Sequence, residues 1–216
     1  MSFSLLGFPI RIELSFLGVI ALIGYLSFGE RYDLIAAFVV IAVISVLIHE
    51  FGHAFAARSQ GTHGTPSISL EGMAGLTRYR LQKTPSRVQS IFISLAGPLA
   101  GVALGIVLVG VRLSGVVTET DLVRNLFNIS FFTTFAWSAF NLMPIVPLDG
   151  GHIMTDLIPG PMAVRSKRAA IVSIVVAVAA GAALWFYLNL LFAPIILGGM
   201  AYQNFQSLRS GRVAQL

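Results

Sequence analysis

The sequence contains no cysteine, and it has few charged residues for its length. Without cysteine, the chain can form neither a disulfide nor a thiolate site. Charged residues make up only 11% of its 216 residues, whereas a soluble domain carries about 25%. Hydrophobic residues make up 56%, and a water-soluble fold of this size could not hide so much apolar surface in one core. The composition therefore predicts a membrane protein.

The first residues lack the marks of a cleaved signal peptide. MSFSLLGFPIRIEL has neither a basic n-region nor a small-residue cleavage site, so we expect the first apolar segment to be retained. Linkers, low-complexity tracts and internal repeats are also missing from the sequence. We therefore expect a single membrane domain over residues 1–216, without a second soluble domain.

Uncharged stretches long enough to cross a bilayer define the expected membrane segments. A transmembrane helix needs about 20 mainly apolar residues. Dividing the long final stretch near Asn189 gives six segments, at about 14–29, 34–57, 88–111, 125–148, 169–188 and 190–208. Residues 2–13 and 66–81 have the pattern of short strands. The expected fold is an all-α polytopic membrane protein with about six transmembrane helices and a small membrane-associated β-sheet.

The distribution of lysine and arginine predicts the orientation of these segments. All of the fourteen basic residues except Arg31, Arg112 and Arg124 fall on the side that holds both termini. The positive-inside rule assigns that side, with the hairpin region at 66–81, to the cytosol. The net charge of +5 is therefore explained by topology. The basic residues are not clustered as a nucleic-acid surface would require, so no nucleic-acid partner is expected.

The sequence HEFGH at residues 49–53 lies inside the second expected span. Residues four apart on a helix share a face, so His49 and His53 can hold one metal ion together. Glu50 is placed where its carboxylate can reach a water on that metal. His49 precedes Arg58 by nine residues, which puts it about 14 Å below the cytoplasmic edge, near the middle of the bilayer. Because ionisable groups at that depth are costly and usually functional, we expect a zinc site there.

A catalytic zinc site needs a third protein ligand. The carboxylates and imidazoles that could supply it are Asp149, His152, Asp156, His63 and Glu71. Asp149 follows the fourth expected span, where two prolines in NLMPIVPLDGGH stop a regular helix. In the six-span topology the second and fourth spans both run towards the cytosol. The HEFGH and LDGG motifs are therefore expected at the same side and at a similar depth.

These motifs together resemble the site-2 protease family of intramembrane zinc metalloproteases. HEFGH on a membrane helix is followed by N-x-x-P-x-x-P-L-D-G-G at 141–151, and SLAGPLAG at 94–101 is similar to the family's third-helix pattern. The resemblance covers nearly the whole chain. It implies a short form without a soluble regulatory domain, in a prokaryotic cytoplasmic membrane. It also implies an endopeptidase that cleaves transmembrane segments of membrane-protein substrates.

The resemblance assigns roles to five residues. It implies His49, His53 and Asp149 as ligands of one Zn²⁺ per chain, Glu50 as the general base, and Asn141 beside the reacting carbonyl. In such a mechanism zinc activates a water, and Glu50 moves its proton to the leaving amine. A helical substrate must unwind before it can be cut. We therefore expect residues 66–81 to accept the unwound segment as an added strand.

The remaining polar and small residues have plainer expected roles. His152 is expected to hold Asp149 in place, while Asp156, His63 and Glu71 are expected in loops, the last two in contact with water. The glycines at 97, 101 and 105 recur every four residues, which favours close helix packing. Four phenylalanines of the fourth span are expected to pack or to contact lipid, namely Phe127, Phe131, Phe132 and Phe135.

Two other functions are compatible with ionisable residues in membrane spans. A metal-ion transporter could line an ion path with histidine and aspartate, but transporters often have repeated halves, and neither motif occurs twice. A transport pathway would also have little need for Glu50 between its ligands. A non-catalytic membrane scaffold descended from such a protease is disfavoured because no residue of the catalytic set is missing. A serine intramembrane protease is disfavoured because the sequence contains no G-x-S-x-G. The sequence leaves the substrate and the oligomeric state open.

Overall fold

A computed structural model of the protein describes residues 1–116, 120–190 and 192–210. The strands within these ranges are β1 Ser2–Leu5, β2 Phe8–Ile12, β3 Ser67–Glu71 and β4 Ala74–Arg78. The helices are α1 Leu14–Phe28, α2 Tyr32–Ser59, α3 Arg87–Leu113, α4 Asp121–Asn141, α5 Asp149–Leu157, α6 Met162–Leu188 and α7 Phe192–Ser210. Arg212, counted above with the cytoplasmic residues, and Leu191, inside the sixth expected span, lie outside the described residues.

Among the described helices, α2, α3 and α6 are long and apolar enough to cross a membrane. The shorter α1 is also apolar. A mainly helical protein with candidate membrane spans and a small sheet is therefore confirmed at that level. The count of six spans stays a prediction, although a helix is found in each of the six predicted segments.

The described chain divides into two compact units. The first contains Met1–Pro85 and Ala96–Ala139, and it includes the whole sheet together with α1 and α2. The second contains Ser86–Leu95 and the chain from Phe140 onwards, and it includes α5, α6 and α7.

The sheet of the first unit has the order β1-β2-β3-β4. Strands β1 and β2 form one antiparallel hairpin and β3 and β4 form another, so the predicted strands at 2–13 and 66–81 are confirmed. Parallel pairing of β2 with β3, with Ile10 opposite Ile68, joins the two hairpins. No local sequence pattern predicts this pairing, because its partners are separated by the whole of α1 and α2.

One face of the sheet packs against α1 and α2. Phe8 and Ile10 of β2 and Ile68 and Leu70 of β3 are buried in the same apolar cluster as residues of both helices. Alternate residues of a strand point to the same face, so Gly75 and Thr77 share this buried face, opposite Leu70 and Ile68. The sheet thus presents β4 to α2.

In the second unit two boundary predictions are wrong. Helix α6 begins at Met162, so Arg165, Lys167 and Arg168 belong to the helix and not to the preceding loop. Asp156, predicted in a loop, lies in α5. An ion pair between the buried Arg165 guanidinium and the Asp156 carboxylate accounts for both differences. Nε of Arg165 also donates a hydrogen bond to the Thr155 carbonyl at 2.8 Å. Charged residues that neutralise each other can extend helices beyond their apolar segments.

Candidate metal centre

His49 and His53 lie one turn apart on α2, and both are buried inside the first unit together with Glu50. His49, Glu50 and His53 are buried, with 2%, 4% and 8% of their surface exposed. The Nε2 atoms of the two imidazoles are 3.1 Å apart. Ligand atoms of all three residues lie within 4.8 Å of one another. The predicted pairing of the two histidines one helical turn apart is therefore present.

The donor set matches what zinc requires. Two imidazole nitrogens on a tetrahedral zinc ion, each about 2.05 Å from it, are about 3.3 Å apart. The 3.1 Å separation of the two Nε2 atoms is close to that spacing. Imidazole is also a preferred zinc ligand. The residues present fit zinc, with Glu50 beside the two nitrogens.

Strand β4 holds the Glu50 carboxylate by one hydrogen bond and one close approach. The Thr77 hydroxyl donates to Oε2 of Glu50 at 2.6 Å and lies 3.1 Å from the Glu50 carbonyl oxygen. A Cβ atom at Gly75 would lie 2.4 Å from Oε1 of Glu50. Any larger residue at position 75 would therefore force the carboxylate out of its present position. The sequence analysis did not identify Gly75 or Thr77 as site residues. The one pattern that could have indicated them is the alternation of side chains along a strand, which puts both on the same face of β4.

Helix α3 makes the equivalent close approach to His53. A Cβ atom at Gly97 would lie 2.2 Å from the His53 Nε2 atom, and one at Gly52 would lie 2.3 Å from the Ala96 carbonyl oxygen. Close crossing of α2 and α3 therefore depends on both glycines.

The predicted close packing of the four-residue glycine repeat holds for only part of it. A Cβ atom at Gly101 would lie 2.1 Å from the Ser138 Oγ atom of α4, so Gly101 permits helix contact. Gly97 makes room for His53. Gly105 has no described atom close enough to meet a Cβ atom. The phenylalanines of α4 pack on one another, as predicted, with Phe131 stacked between Phe127 and Phe135.

The other predicted site residues lie in the second unit. Asn141 is the last residue of α4, Asp149 is the first residue of α5, and His152 lies one turn further along α5; all three are half-buried. A Cβ atom at Gly150 would lie 2.1 Å from the Leu142 carbonyl oxygen, so the chain folds back tightly just before α5. The roles of Asn141 and Asp149 stay predictions.

The two remaining ligand candidates lie near the sheet. His63 is exposed, and its main-chain N–H donates to the Arg80 carbonyl at 2.7 Å. Glu71, predicted in a loop, is the last residue of β3, where its carboxylate pairs with Arg78 at 2.7 Å. Neither residue belongs to the described His49, Glu50 and His53 group of metal-binding side chains.

Comparison with known proteins agrees with the motifs. A model of Peptidase family M50 matches residues 37–118 and 112–188. A zinc metalloprotease of Methanocaldococcus jannaschii is 28% identical over 161 residues, 72% of this chain and 44% of the relative. A protein of Synechocystis, provisionally named a zinc metalloprotease, is 29% identical over 171 residues, 72% of this chain and 43% of the relative. The matched region thus spans less than half the length of these curated relatives.

The fold also resembles that of a solved structure. The site-2 protease from Methanocaldococcus jannaschii superimposes with a TM-score of 0.65 at 22% identity, covering 100% of this chain and 98% of that chain. At this identity the likeness concerns the fold alone. The family match covers most of the chain, including HEFGH and the LDGG segment. This protein therefore belongs to Peptidase family M50, the family of the site-2 proteases.

Proposed function

We propose that the protein is a zinc-dependent intramembrane endopeptidase that cleaves transmembrane segments of membrane proteins. The observation that carries the proposal is the pair of buried imidazoles on α2, with Nε2 atoms 3.1 Å apart and a carboxylate beside them. Helix α2 is long and apolar enough to cross a membrane. A site on such a helix is suited to substrates that are themselves in the bilayer. The alternatives, a metal transporter or a scaffold, are not favoured by the family.

The proposed zinc ligands are His49, His53 and Asp149, with one ion per chain. When bound, zinc supplies a Lewis acid that makes water a nucleophile at neutral pH. Glu50 accepts the proton of the attacking water and delivers it to the leaving amine. The Asn141 amide donates a hydrogen bond to the developing oxyanion. In this scheme Thr77 keeps the Glu50 carboxylate in one orientation, which spares the reaction the cost of fixing it.

The open edge of β4 is the proposed docking site for an unwound substrate. Strand β4 is the last strand in the order of the four described strands. Glu71 pairs with Ala74 across a two-residue turn, which makes them a hydrogen-bonded pair. In an antiparallel ladder such pairs alternate, so the main-chain groups of Gly75 and Thr77 point away from β3. A substrate strand would pair with those groups, next to Glu50.

The proposed topology has six spans in a prokaryotic cytoplasmic membrane, with both termini in the cytosol. The excess of lysine and arginine on one side of the predicted spans supports this orientation. The proposed partner is a membrane protein with at least one transmembrane helix.

Metal removal tests the proposed function. The purified protein in detergent is expected to cleave a reporter with one transmembrane helix, to stop after chelation, and to resume when zinc is added back. His49→Ala is expected to bind no zinc, whereas His63→Ala, an exposed histidine outside the cluster, keeps both zinc and cleavage. Cleavage that persists in the metal-free protein would contradict the proposal.

A further inference from the structure

The segment between α4 and α5 is held by side chains from two other helices. Residues 142–148 are not helical, so their main-chain groups need partners elsewhere. The Val146 N–H donates to the Ser173 Oγ atom of α6 at 2.9 Å. The Val146 carbonyl accepts a hydrogen bond from the Asn204 amide of α7 at 2.7 Å. Both polar groups of one residue are thus satisfied by side chains.

Ser173 and Asn204 are themselves buried, and each makes a second hydrogen bond within its own helix. Ser173 is 0% exposed and Asn204 is 5% exposed. The Ser173 hydroxyl donates to the Ala169 carbonyl at 2.7 Å while it accepts from Val146. The Asn204 amide also donates to the Met200 carbonyl at 2.9 Å. Burying these polar groups without partners would be costly, and so would breaking their bonds to Val146.

The anchored residue lies three positions before Asp149, and little freedom remains between them. The Leu148 N–H donates to the Ile145 carbonyl at 2.7 Å. A Cβ atom at Gly151 would lie 2.5 Å from the Val146 nitrogen, so the first turn of α5 rests directly against the anchored segment. The position of Val146 therefore determines where α5 begins.

We propose that Ser173 and Asn204 are positioning residues for the Asp149 carboxylate. By fixing Val146 from α6 and α7, they fix the start of α5 and with it the direction of the Asp149 side chain. This inference rests on the proposed role of Asp149 as a zinc ligand. Ligand orientation by supporting hydrogen bonds commonly contributes about 10- to 100-fold to metal affinity.

Zinc affinity, measured by competition with a chromophoric chelator, tests the proposal. Ser173→Ala and Asn204→Ala are each expected to weaken zinc binding about tenfold or more. Ser166→Ala is the matched control for the serine, because its buried Oγ makes no hydrogen bond with the part of the chain that the structure describes. Gln203→Ala, an exposed amide of α7, is the control for the asparagine. Both controls are expected to bind zinc like the wild type.

The same substitutions in an Asp149→Asn background separate positioning from general stability. If Ser173 and Asn204 act through Asp149, they cause no further loss of affinity once that carboxylate is gone. Equal losses in both backgrounds, or no loss in either, would overturn the proposal. Should Asp149→Asn alone keep full zinc affinity, the proposed ligand role itself is wrong, and the inference falls with it. Ser173→Ala, which removes a single oxygen atom, keeps the test available if Asn204→Ala does not fold.

Discussion

At the scale of single residues, two glycines set the space around the metal-binding side chains. Gly75 leaves room for the Glu50 carboxylate, and Gly97 leaves room for the His53 imidazole. A methyl group at either position would overlap a buried side chain, so that side chain would have to shift from its present position. The geometry of the site thus depends on the lack of a side chain at positions 75 and 97 as well as on the polar residues.

Gly97→Ala is expected to lower zinc affinity sharply, because the added methyl group would lie 2.2 Å from the His53 Nε2 atom. The measurement is zinc content after dialysis against a weak chelator. Gly105→Ala on the same helix is the matched control, since a Cβ atom there meets no described atom. Equal zinc content in the two variants would show that His53 does not need this space.

Thr77→Val is expected to lower kcat by about 10- to 150-fold and to leave zinc content unchanged, because a hydrogen bond to a charged group contributes about 1.5–3 kcal/mol. Thr77→Ser keeps the hydroxyl and is expected to restore most of the rate. Thr65→Val makes the same change at an exposed position before β3 and serves as control. If Thr77→Val turns over substrate at the wild-type rate, the hydrogen bond has no part in positioning Glu50.

The sequence predicted that His49 and His53 lie together, but it did not predict the contacts that hold Glu50. His49 and His53 are four residues apart on one helix, so their meeting is a local property that spacing alone determines. Thr77 reaches Glu50 across 27 positions, through a hairpin whose register no local pattern specifies. Sequence alone could therefore predict which side chains of α2 lie together, but not the tertiary contacts that orient Glu50.

At the scale of elements, β4 contacts Glu50 and is also the proposed docking strand for the substrate. The side of β4 that faces α2 carries the Thr77 hydroxyl bonded to Glu50. Its open edge carries the main-chain groups of Gly75 and Thr77, which are proposed to pair with substrate. Substrate docking and base positioning would then involve the same two residues.

Comparing Thr77→Pro with Thr77→Val separates these tasks. Both variants lack the hydroxyl, but only proline lacks the main-chain N–H that points to the open edge. Proline is therefore expected to raise KM several-fold above the value for the valine variant, in steady-state cleavage of the same reporter. Equal KM values would argue against docking by strand addition at this edge.

Element boundaries show where charge patterns fail as a guide. The apolar stretch at 169–188 predicts only part of this helix, because α6 begins at Met162. Its first turns carry Arg165, neutralised by Asp156 of α5. Hydropathy defines the apolar part of a helix, whereas tertiary ion pairs decide how far it extends. The fourth expected segment, 125–148, also differs from its helix, because α4 ends at Asn141, before both prolines of the following loop.

At the scale of the whole molecule, the absence of cysteine makes the topology directly testable. Single cysteines can be placed at Thr84 and Ser114, both exposed, and labelled with a membrane-impermeant maleimide in oriented vesicles. The six-span topology predicts that Thr84→Cys reacts from the cytoplasmic side and Ser114→Cys from the opposite side. Labelling of both positions from one side would contradict that topology.

The most direct test of the central claim compares the wild-type protein with Glu50→Gln. Both proteins are purified in detergent, their zinc content is measured, and cleavage of a reporter with one transmembrane helix is followed. We expect equal zinc in the two proteins and a rate at least about 100-fold lower in Glu50→Gln, because glutamine cannot accept the proton of water. Equal cleavage by both proteins would contradict the role of Glu50 as the general base of a zinc endopeptidase.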